Sequence, residues 1–284
     1  MYASRTFLAL ALLAGCANTD EFVGTDGSPS ADVNKPNPRD GLLAGDAFVA
    51  PDGHELGKTK VFAHTEDALF QVDPETFGIA KVAAFVWPQQ ADKMTDIALD
   101  KNGKMIGVSK TTVYGVDPAT AACTVMATFP GDQYHFVGLS FVIDTTSVDK
   151  GEYLMGLDKD GAVYEIDPDT GAAVKRGELG GGLKAGGDVV SVKGFGTVAT
   201  VKPPDDDTDW LSRVDPHSGA ATLIGDTGFE KVWGVGYWKG QVYGFTAQGE
   251  FVLIDVVSGA ATLKTSSQEP WWGAGVTTEA PVID

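Results

Sequence analysis

Two aspartates, Asp96 and Asp188, offer the clearest candidate chemistry in this chain. They precede the apolar segments Ile97-Ala98 and Val189-Val190, at one position of a repeated pattern where three other copies have Gly. Two carboxylates confined together can divide into an acid and a base, because proximity separates their pKa values. They can also hold a divalent cation such as Ca²⁺, together with backbone carbonyls and water. The structural alternative is that each carboxylate accepts backbone N–H groups at the start of a strand.

Three tryptophans form the candidate binding surface. Trp233 and Trp272 stand at equivalent positions in the last two copies of the repeat, each before a Gly, and Trp271 adjoins Trp272. If those copies are neighbours, the indoles share one rim, and flat indole faces suit sugar rings, cationic groups or aromatic side chains of a peptide. Packing between repeats is the alternative interpretation. The sequence therefore predicts ligand binding at Trp233, Trp271 and Trp272.

The beginning of the chain carries an export pattern. Arg5 is followed by an apolar run at residues 7–13, and Leu13-Ala14-Gly15-Cys16 ends the pattern. This segment resembles the lipobox of bacterial lipoproteins, in which cleavage falls before the cysteine and its thiol receives a lipid such as palmitate. An ordinary secretory signal with an incidental cysteine is the alternative. The resemblance implies a signal peptide at residues 1–15 and lipidation at Cys16.

A polar segment separates this signal from the rest of the chain. Residues 16–57 are rich in Gly, Pro, Asn, Asp and Ser and show little apolar periodicity. Such a composition predicts a flexible tether, and the acyl chains on Cys16 would anchor it at a membrane. By the same resemblance, Ala17 after the cysteine implies the outer membrane. The folded domain is expected at residues 58–284.

Charge and cysteine content exclude several classes of partner. The formal net charge is −18, from 21 basic and 39 acidic residues. This balance argues against nucleic acid as a partner and against charge-driven adhesion to anionic lipid headgroups. Apart from Cys16 the chain has only Cys123, so no intramolecular disulfide is possible. Cys123 lies in an alternating segment, which predicts a buried, inert thiol.

The remaining polar segments indicate no cofactor. Asp158-Lys159-Asp160-Gly161 resembles part of a calcium loop but lacks its distant ligands, so a hairpin turn is the better interpretation. The acidic segment 203–210 is interpreted as a solvated loop. The four histidines, at positions 54, 64, 135 and 217, show no metal-ligand spacing. A structural Ca²⁺ at Asp96 and Asp188 is the only cofactor that the sequence suggests.

A repeated turn sequence organises the rest of the chain. Ile or Val, Asp and usually Pro recur at intervals of 40 to 50 residues, with the aspartates at positions 73, 117, 167, 215 and 255. Pro presets φ, the Asp side chain accepts a hydrogen bond from the backbone two residues on, and a following Gly takes a positive φ. Ala121 replaces this Gly in the second copy, and Gly78 is shifted in the first. These aspartates are thus predicted to form turns.

The order of the segments predicts how the fold closes. A period of this size fits one four-stranded sheet, the unit of a β-propeller. The last inner-strand segment, at residues 272–278, follows every turn sequence, so it should pair with strands from residues 60–85 and seal the ring. The sequence predicts an all-β, five-bladed β-propeller with this velcro closure. Residues 58–279 resemble β-propellers with Ile/Val-Asp-Pro-x-Thr-Gly repeats in bacterial envelope proteins.

Two functions remain open at this point, because propellers include enzymes, lectins and scaffolds. The first is a lipid-anchored envelope protein that binds or scaffolds a protein, peptide or glycan and has no catalytic residues. The second is an envelope hydrolase or transferase, similar to a glycosidase, with Asp96 and Asp188 at the central channel. An enzyme should have a deep acidic pocket at the channel mouth, whereas a binding protein should have an aromatic or apolar surface there.

Overall fold

The computed structural model describes residues 61–131, 133–145 and 151–283. These residues form twenty β-strands in five antiparallel sheets of four, which we call blades 1 to 5. The predicted signal peptide, Cys16 and the whole of the predicted tether lie outside the described residues. Within the described part of the chain, no helix has the length and hydropathy needed to cross a membrane.

The strands follow the chain order within each blade, except at the point of closure. Blade 1 contains β20 (Gly273–Val276), β1 (Val61–His64), β2 (Ala68–Val72) and β3 (Ile79–Ala84). Blade 2 contains β4 (Asp96–Leu99), β5 (Met105–Val108), β6 (Thr112–Val116) and β7 (Cys123–Thr128). Blade 3 contains β8 (Phe136–Ile143), β9 (Glu152–Asp158), β10 (Ala162–Ile166) and β11 (Ala173–Glu178). Blade 4 contains β12 (Lys184–Val192), β13 (Gly196–Lys202), β14 (Trp210–Val214) and β15 (Ala221–Asp226). Blade 5 contains β16 (Val232–Trp238), β17 (Gln241–Thr246), β18 (Glu250–Ile254) and β19 (Ala261–Ser266).

The first strand of each blade lies at the centre of a closed ring. These inner strands are β20, β4, β8, β12 and β16, and each contacts the next, with β16 contacting β20. Burial decreases outward: β4 and β20 are buried along their whole length, whereas the outermost strand β19 is largely exposed. This arrangement confirms the predicted five-bladed β-propeller.

The two ends of the domain pair with each other in blade 1. Strand β1 is antiparallel to β20, with Val61 opposite Val276 and His64 opposite Gly273. The predicted velcro closure is therefore confirmed. Because the last strand completes the first sheet, backbone hydrogen bonds between the two ends of the domain seal the ring, and β1 is not left as an edge strand.

The packing also accounts for the second cysteine. Cys123 begins the outer strand of blade 2, and its side chain is buried beside Phe85 and Tyr114 in one apolar cluster. Burial raises the pKa of its thiol to about 12. A thiol with so little thiolate at neutral pH is a weak nucleophile, which agrees with the predicted inert cysteine.

The repeated aspartates form the turns that the sequence predicts. In every copy the carboxylate accepts the backbone N–H two residues on, at 2.8–3.1 Å. The N–H four residues on donates to the aspartate carbonyl at 2.7–2.8 Å. The residues at that position have φ between 57° and 79°: Phe77, Ala121, Gly171, Gly219 and Gly259. The expectation that Gly78 takes this role in the first copy is wrong, since Phe77 adopts the positive φ.

A glycine substitution tests how the turns lock neighbouring blades together. Gly171 and Gly180 have similar φ values, 71° and 78°. A Cβ at residue 171 would lie 2.6 Å from the Thr128 carbonyl oxygen of blade 2, whereas a Cβ at residue 180 would meet nothing within 4 Å. We expect Gly180→Ala to lower the free energy of unfolding by about 1 kcal/mol through backbone strain. Gly171→Ala should cost ~1–3 kcal/mol more, because it overpacks the blade junction.

Urea unfolding of the two variants measures this difference. Gly180→Ala is the matched control, since it changes the same residue type at the same backbone conformation. Equal losses of stability would show that the contact between Gly171 and blade 2 is loose enough to take a methyl group.

Candidate functional site

Asp188 lies at the centre of the ring with its side chain fully buried. Its carboxylate accepts backbone N–H groups from four inner strands. The donors are Leu139, Val189, Val235 and Ala274, at 3.4, 2.5, 2.7 and 3.4 Å. One side chain thus connects β8, β12, β16 and β20. This is the structural role considered for Asp188, and it spans more strands than the local capping that the sequence suggested.

Glycines allow the inner strands to approach so closely. The pairing of β12 with β13 shifts register between Ala185 and Val189, and Gly186 and Gly187 occupy the irregular segment. A Cβ on Gly187 would lie 2.3 Å from the Val232 carbonyl oxygen of the next blade. Side chains at this level would push the blades apart, so the small residues are what brings four N–H groups within reach of one carboxylate.

Asp96 completes the arrangement from the fifth inner strand. It is the first residue of β4, and its side chain is also fully buried. Burial, followed by repulsion from the neighbouring Asp188 carboxylate, raises the pKa of Asp96 well above its ordinary value. Burial also raises the pKa of Asp188, to about 7, while its hydrogen bond with the Asp96 side chain and its backbone N–H donors oppose this effect. Asp96 is therefore the member of the carboxyl pair that keeps a proton near neutral pH.

His64 joins the carboxyl pair, a role that no pattern in the sequence indicated. The ring lies at the end of β1 and is fully buried, with Nδ1 2.8 Å from the Thr65 carbonyl oxygen and Nε2 3.5 Å from Asp96 Oδ1. Burial lowers the pKa of His64 to about 4, so the ring is neutral at pH 7. Because a carbonyl only accepts, Nδ1 carries the proton and Nε2 faces Asp96 as an acceptor.

Space for the histidine depends on the residue opposite it. A Cβ on Gly273 would lie 2.2 Å from Asp96 Oδ1 and 2.3 Å from His64 Nε2. Any side chain at residue 273 would collide with both groups. The glycine of the closing strand is therefore what permits His64 and Asp96 to meet.

A cavity of about 350 Å³ opens at the mouth of the central channel. It lies where the inner strands begin: Val137 and Gly187 belong to β8 and β12, and Thr95 directly precedes β4. Trp233 and Trp272 also line it. We call it the mouth cavity. Neither Asp96 nor Asp188 lines it, although each directly adjoins a lining residue in sequence. The carboxyl pair is thus buried out of reach of a molecule in the mouth cavity.

The structure brings two of the three predicted tryptophans together. The indoles of Trp233 and Trp272 meet edge to face, with ring centroids 5.9 Å apart and planes inclined by 76°. Both are half-buried and line the mouth cavity. Trp271 instead lies in the core, 1% exposed, with its ring edge to face against Phe70 at 5.0 Å. Its indole is therefore not at the surface that the other two share.

The charged side chains of the mouth cavity are basic. Lys110 and Lys159 line it, together with His135, and no Asp or Glu does so among the described residues. Lys159 pairs with Asp160 at 2.5 Å, and about half of its side chain remains exposed. Within the described part of the chain, no ion pair involves Lys110. The site in the structure therefore lacks the acidic character expected of a glycosidase-like pocket.

Metal binding remains a prediction for this chain. In the described ranges, no group of three or more His, Cys, Asp or Glu side chains is placed to hold a metal ion. The Asp158 carboxylate accepts the N–H groups of His135 and Asp160, as a turn residue does. Asp206 in the acidic loop accepts from Thr208 and from the Trp210 indole. A Ca²⁺ at Asp96 and Asp188 would have two carboxylates, one of them already occupied by backbone donors.

Comparison with known proteins identifies no family. No family model matches the sequence, and no curated protein does so either. Among solved structures, a protein of unknown function from Bacteroides caccae is 9% identical, with a TM-score of 0.42 over 74% of this chain and 73% of that one. The computationally designed Ika8 protein is 14% identical, with a TM-score of 0.36 over 78% and 66%. BamB from Moraxella catarrhalis is 11% identical, with a TM-score of 0.37 over 73% and 62%. Similarities at this level are too distant to indicate a function.

Substitution of the two buried aspartates by Asn should have unequal effects. Asp188→Asn replaces an acceptor oxygen by an NH₂ group that faces backbone donors, so at least one buried N–H loses its partner. We expect the free energy of unfolding to fall by ~3 kcal/mol or more. Asp96→Asn resembles the protonated carboxyl already present, so the loss should stay within ~1 kcal/mol. Urea unfolding at pH 7 distinguishes the two, and equal losses would contradict the proton assignment.

The retained proton also makes stability depend on pH. The unfolded chain releases it near the ordinary pKa of 3.8, whereas folded Asp96 keeps it to a higher pH. The folded state then binds more protons, so the free energy of unfolding falls as pH rises, by at most ~1.4 kcal/mol per pH unit for one proton. His64 acts in the opposite direction below pH 6.5, its unfolded pKa, because burial lowers its folded pKa to about 4. Asp188, whose pKa burial raises to about 7, adds to the decrease up to about that pH. Between about pH 7.5 and pH 8.5, Asp96→Asn should therefore have a shallower slope than wild type.

Proposed function

We propose that this protein is a lipid-anchored envelope protein that binds its ligand in the mouth cavity through Trp233 and Trp272. The observation that carries the proposal is the meeting of these two half-buried indoles at the channel mouth. Buried aromatic rings are common in propeller cores, but these two retain exposed surface in a concave site. Concave sites with aromatic walls and few charged groups are where proteins bind small ligands or single side chains.

The position of the carboxyl pair favours binding over hydrolysis. A general acid or base must come within hydrogen-bond reach of the group that it protonates or deprotonates. Asp96 and Asp188 are fully buried and do not line the mouth cavity. The donors around Asp188 hold its carboxylate in place as a structural acceptor. The glycosidase-like alternative therefore lacks the accessible acid and base that it requires.

The envelope location is proposed from the sequence alone. The apolar run at residues 7–13 and the lipobox-like segment that ends at Cys16 support export and lipidation. Two or more acyl chains hold a protein stably at a membrane, whereas one chain does not. A tether at residues 16–57 would leave the mouth cavity free to meet a partner away from the lipid surface.

Truncation of the two indoles tests the binding site. Full-length protein is first screened on peptide and glycan arrays, and its ligands are then tested with Trp233→Ala and Trp272→Ala. We expect each variant to lose about 30-fold or more in affinity, because a tryptophan at the centre of a binding site commonly contributes at least ~2 kcal/mol. Trp87→Ala is the matched control, since Trp87 is half-buried but packs on Phe85 and Tyr114 away from the mouth cavity. If wild type and both indole variants bind the array ligands with equal affinity, the mouth cavity is not the binding site.

Metabolic labelling tests the anchor. Cells that express the full chain are grown with a clickable palmitate analogue, and the protein is recovered from the membrane fraction. We expect label on wild type and none on Cys16→Ser, which should shift to the soluble fraction because the acyl chains are missing. Cys123→Ser is the control, since the buried Cys123 thiol should not be acylated. Equal labelling of Cys16→Ser and wild type would contradict lipidation at this residue.

A further inference from the structure

The electrostatic character of the mouth cavity is opposite to that of the whole chain. The protein carries 39 acidic and 21 basic residues, yet the charged residues that line the cavity are Lys110 and Lys159. A third cation, Lys93, lies 6.0 Å from the Trp272 ring and pairs with Glu66 at 2.6 Å. A concave site lined by one sign of charge attracts ligands of the other sign. The cavity therefore favours an anionic group.

The two lysines differ in whether a carboxylate of the protein already pairs with them. Lys159 shares its charge with Asp160 at 2.5 Å, and Asp160 also lies 3.7 Å from Lys184. Lys110 enters no ion pair among the described residues, and it is exposed beside the cavity. A ligand carboxylate can pair with Lys110 without displacing a carboxylate of the protein. Hydrogen bonds of this kind, between two charged groups, are about twice as strong as neutral ones.

The remainder of the lining fits an aromatic ring better than a sugar. Phe136, Val137 and Ala185 add apolar surface to the two indoles. A third ring can pack edge to face or offset against indoles that already meet at 76°. Sugar hydroxyls donate as well as accept, so acceptor side chains such as Asp, Glu, Asn or Gln favour a sugar site. None of these four residue types lines the cavity in the described part of the chain.

We infer that the mouth cavity binds an aromatic ring that carries a carboxylate, with the ring against Trp233 and Trp272 and the carboxylate at Lys110 and Lys159. The volume of about 350 Å³ suits a single such group, at the small end of ligand pockets. The chemistry is shared by free aromatic acids and by a peptide that ends in an aromatic residue. This inference rests on the proposed function, because it names the ligand class of the same site.

Four probes test the inference with full-length protein by titration calorimetry. Phenylacetate represents the free acid, and Gly-Gly-Phe represents the peptide end. The amide Gly-Gly-Phe-NH₂ keeps the ring and removes the carboxylate, and trigalacturonate keeps carboxylates on sugar rings. We expect one or both aromatic acids to bind, and the amide to bind about tenfold or more weakly than the peptide acid. Whichever of the two aromatic acids binds more tightly shows whether the ligand is a free aromatic acid or the end of a peptide.

Paired variants assign the charge to the two lysines. In Lys110→Ala/Lys159→Ala, the peptide acid should bind no better than its amide. Lys101→Ala/Lys104→Ala removes the same net charge from the turn between β4 and β5 and should leave the acid's affinity unchanged. If the control lowers affinity as much as the cavity variant, the loss comes from the changed net charge of the chain. The assignment of the carboxylate to Lys110 and Lys159 is then wrong.

The remaining outcomes separate this inference from the proposed function. If the amide and the acid bind equally and binding is lost in Trp233→Ala, the proposed role of the carboxylate is wrong, but the mouth cavity is still the binding site. If trigalacturonate binds more tightly than both aromatic acids, the proposed preference for an aromatic ring is wrong. If no probe binds at millimolar concentration, the ligand class is wrong, while the array ligands and the indole variants still decide whether the mouth cavity is the site.

Discussion

The fold depends on one buried carboxylate. A ring of five sheets brings five inner strands to a common axis, where the N–H groups at the strand starts have no strand of another blade to pair with. Asp188 accepts such groups from four inner strands. Burial of a charge is costly unless hydrogen bonds compensate for it, and here each donor belongs to a separate part of the ring. The interaction therefore satisfies buried backbone groups and fixes the spacing of the blades at once.

The second carboxyl and the glycines follow from this arrangement. Asp96 occupies the fifth strand, and two negative charges could not share a dry centre, so it keeps a proton. Neutral His64 presents an acceptor toward it. Gly187 and Gly273 leave room for backbone and for side-chain heads where a methyl group would collide. Because β20 supplies Gly273 and the Ala274 donor, the velcro closure completes the polar centre as well as the first sheet.

The sequence predicted the parts of the structure that depend on local interactions. Each turn is built from one Asp and the next few N–H groups, so its repetition was sufficient to count the blades. The equivalence of Asp96 and Asp188 was also readable, but burial decided between catalysis and structure, and burial depends on the whole ring. His64 was missed because its partners lie 32 and 209 residues away. Strand alternation could have separated Trp271 from Trp272, since successive side chains of an extended segment point to opposite sides.

The protonation of the polar centre also determines the electrostatic character of the mouth cavity above it. Two ionised carboxylates, each next in sequence to a residue that lines the cavity, would oppose Lys110 and Lys159, because charges separated by low-dielectric protein are weakly screened. The proton on Asp96 removes one of these charges, and four backbone dipoles disperse the other. The lysines of the cavity therefore face one buried negative charge instead of two. The same hydrogen-bonded centre that holds the blades together keeps the cavity suited to an anion.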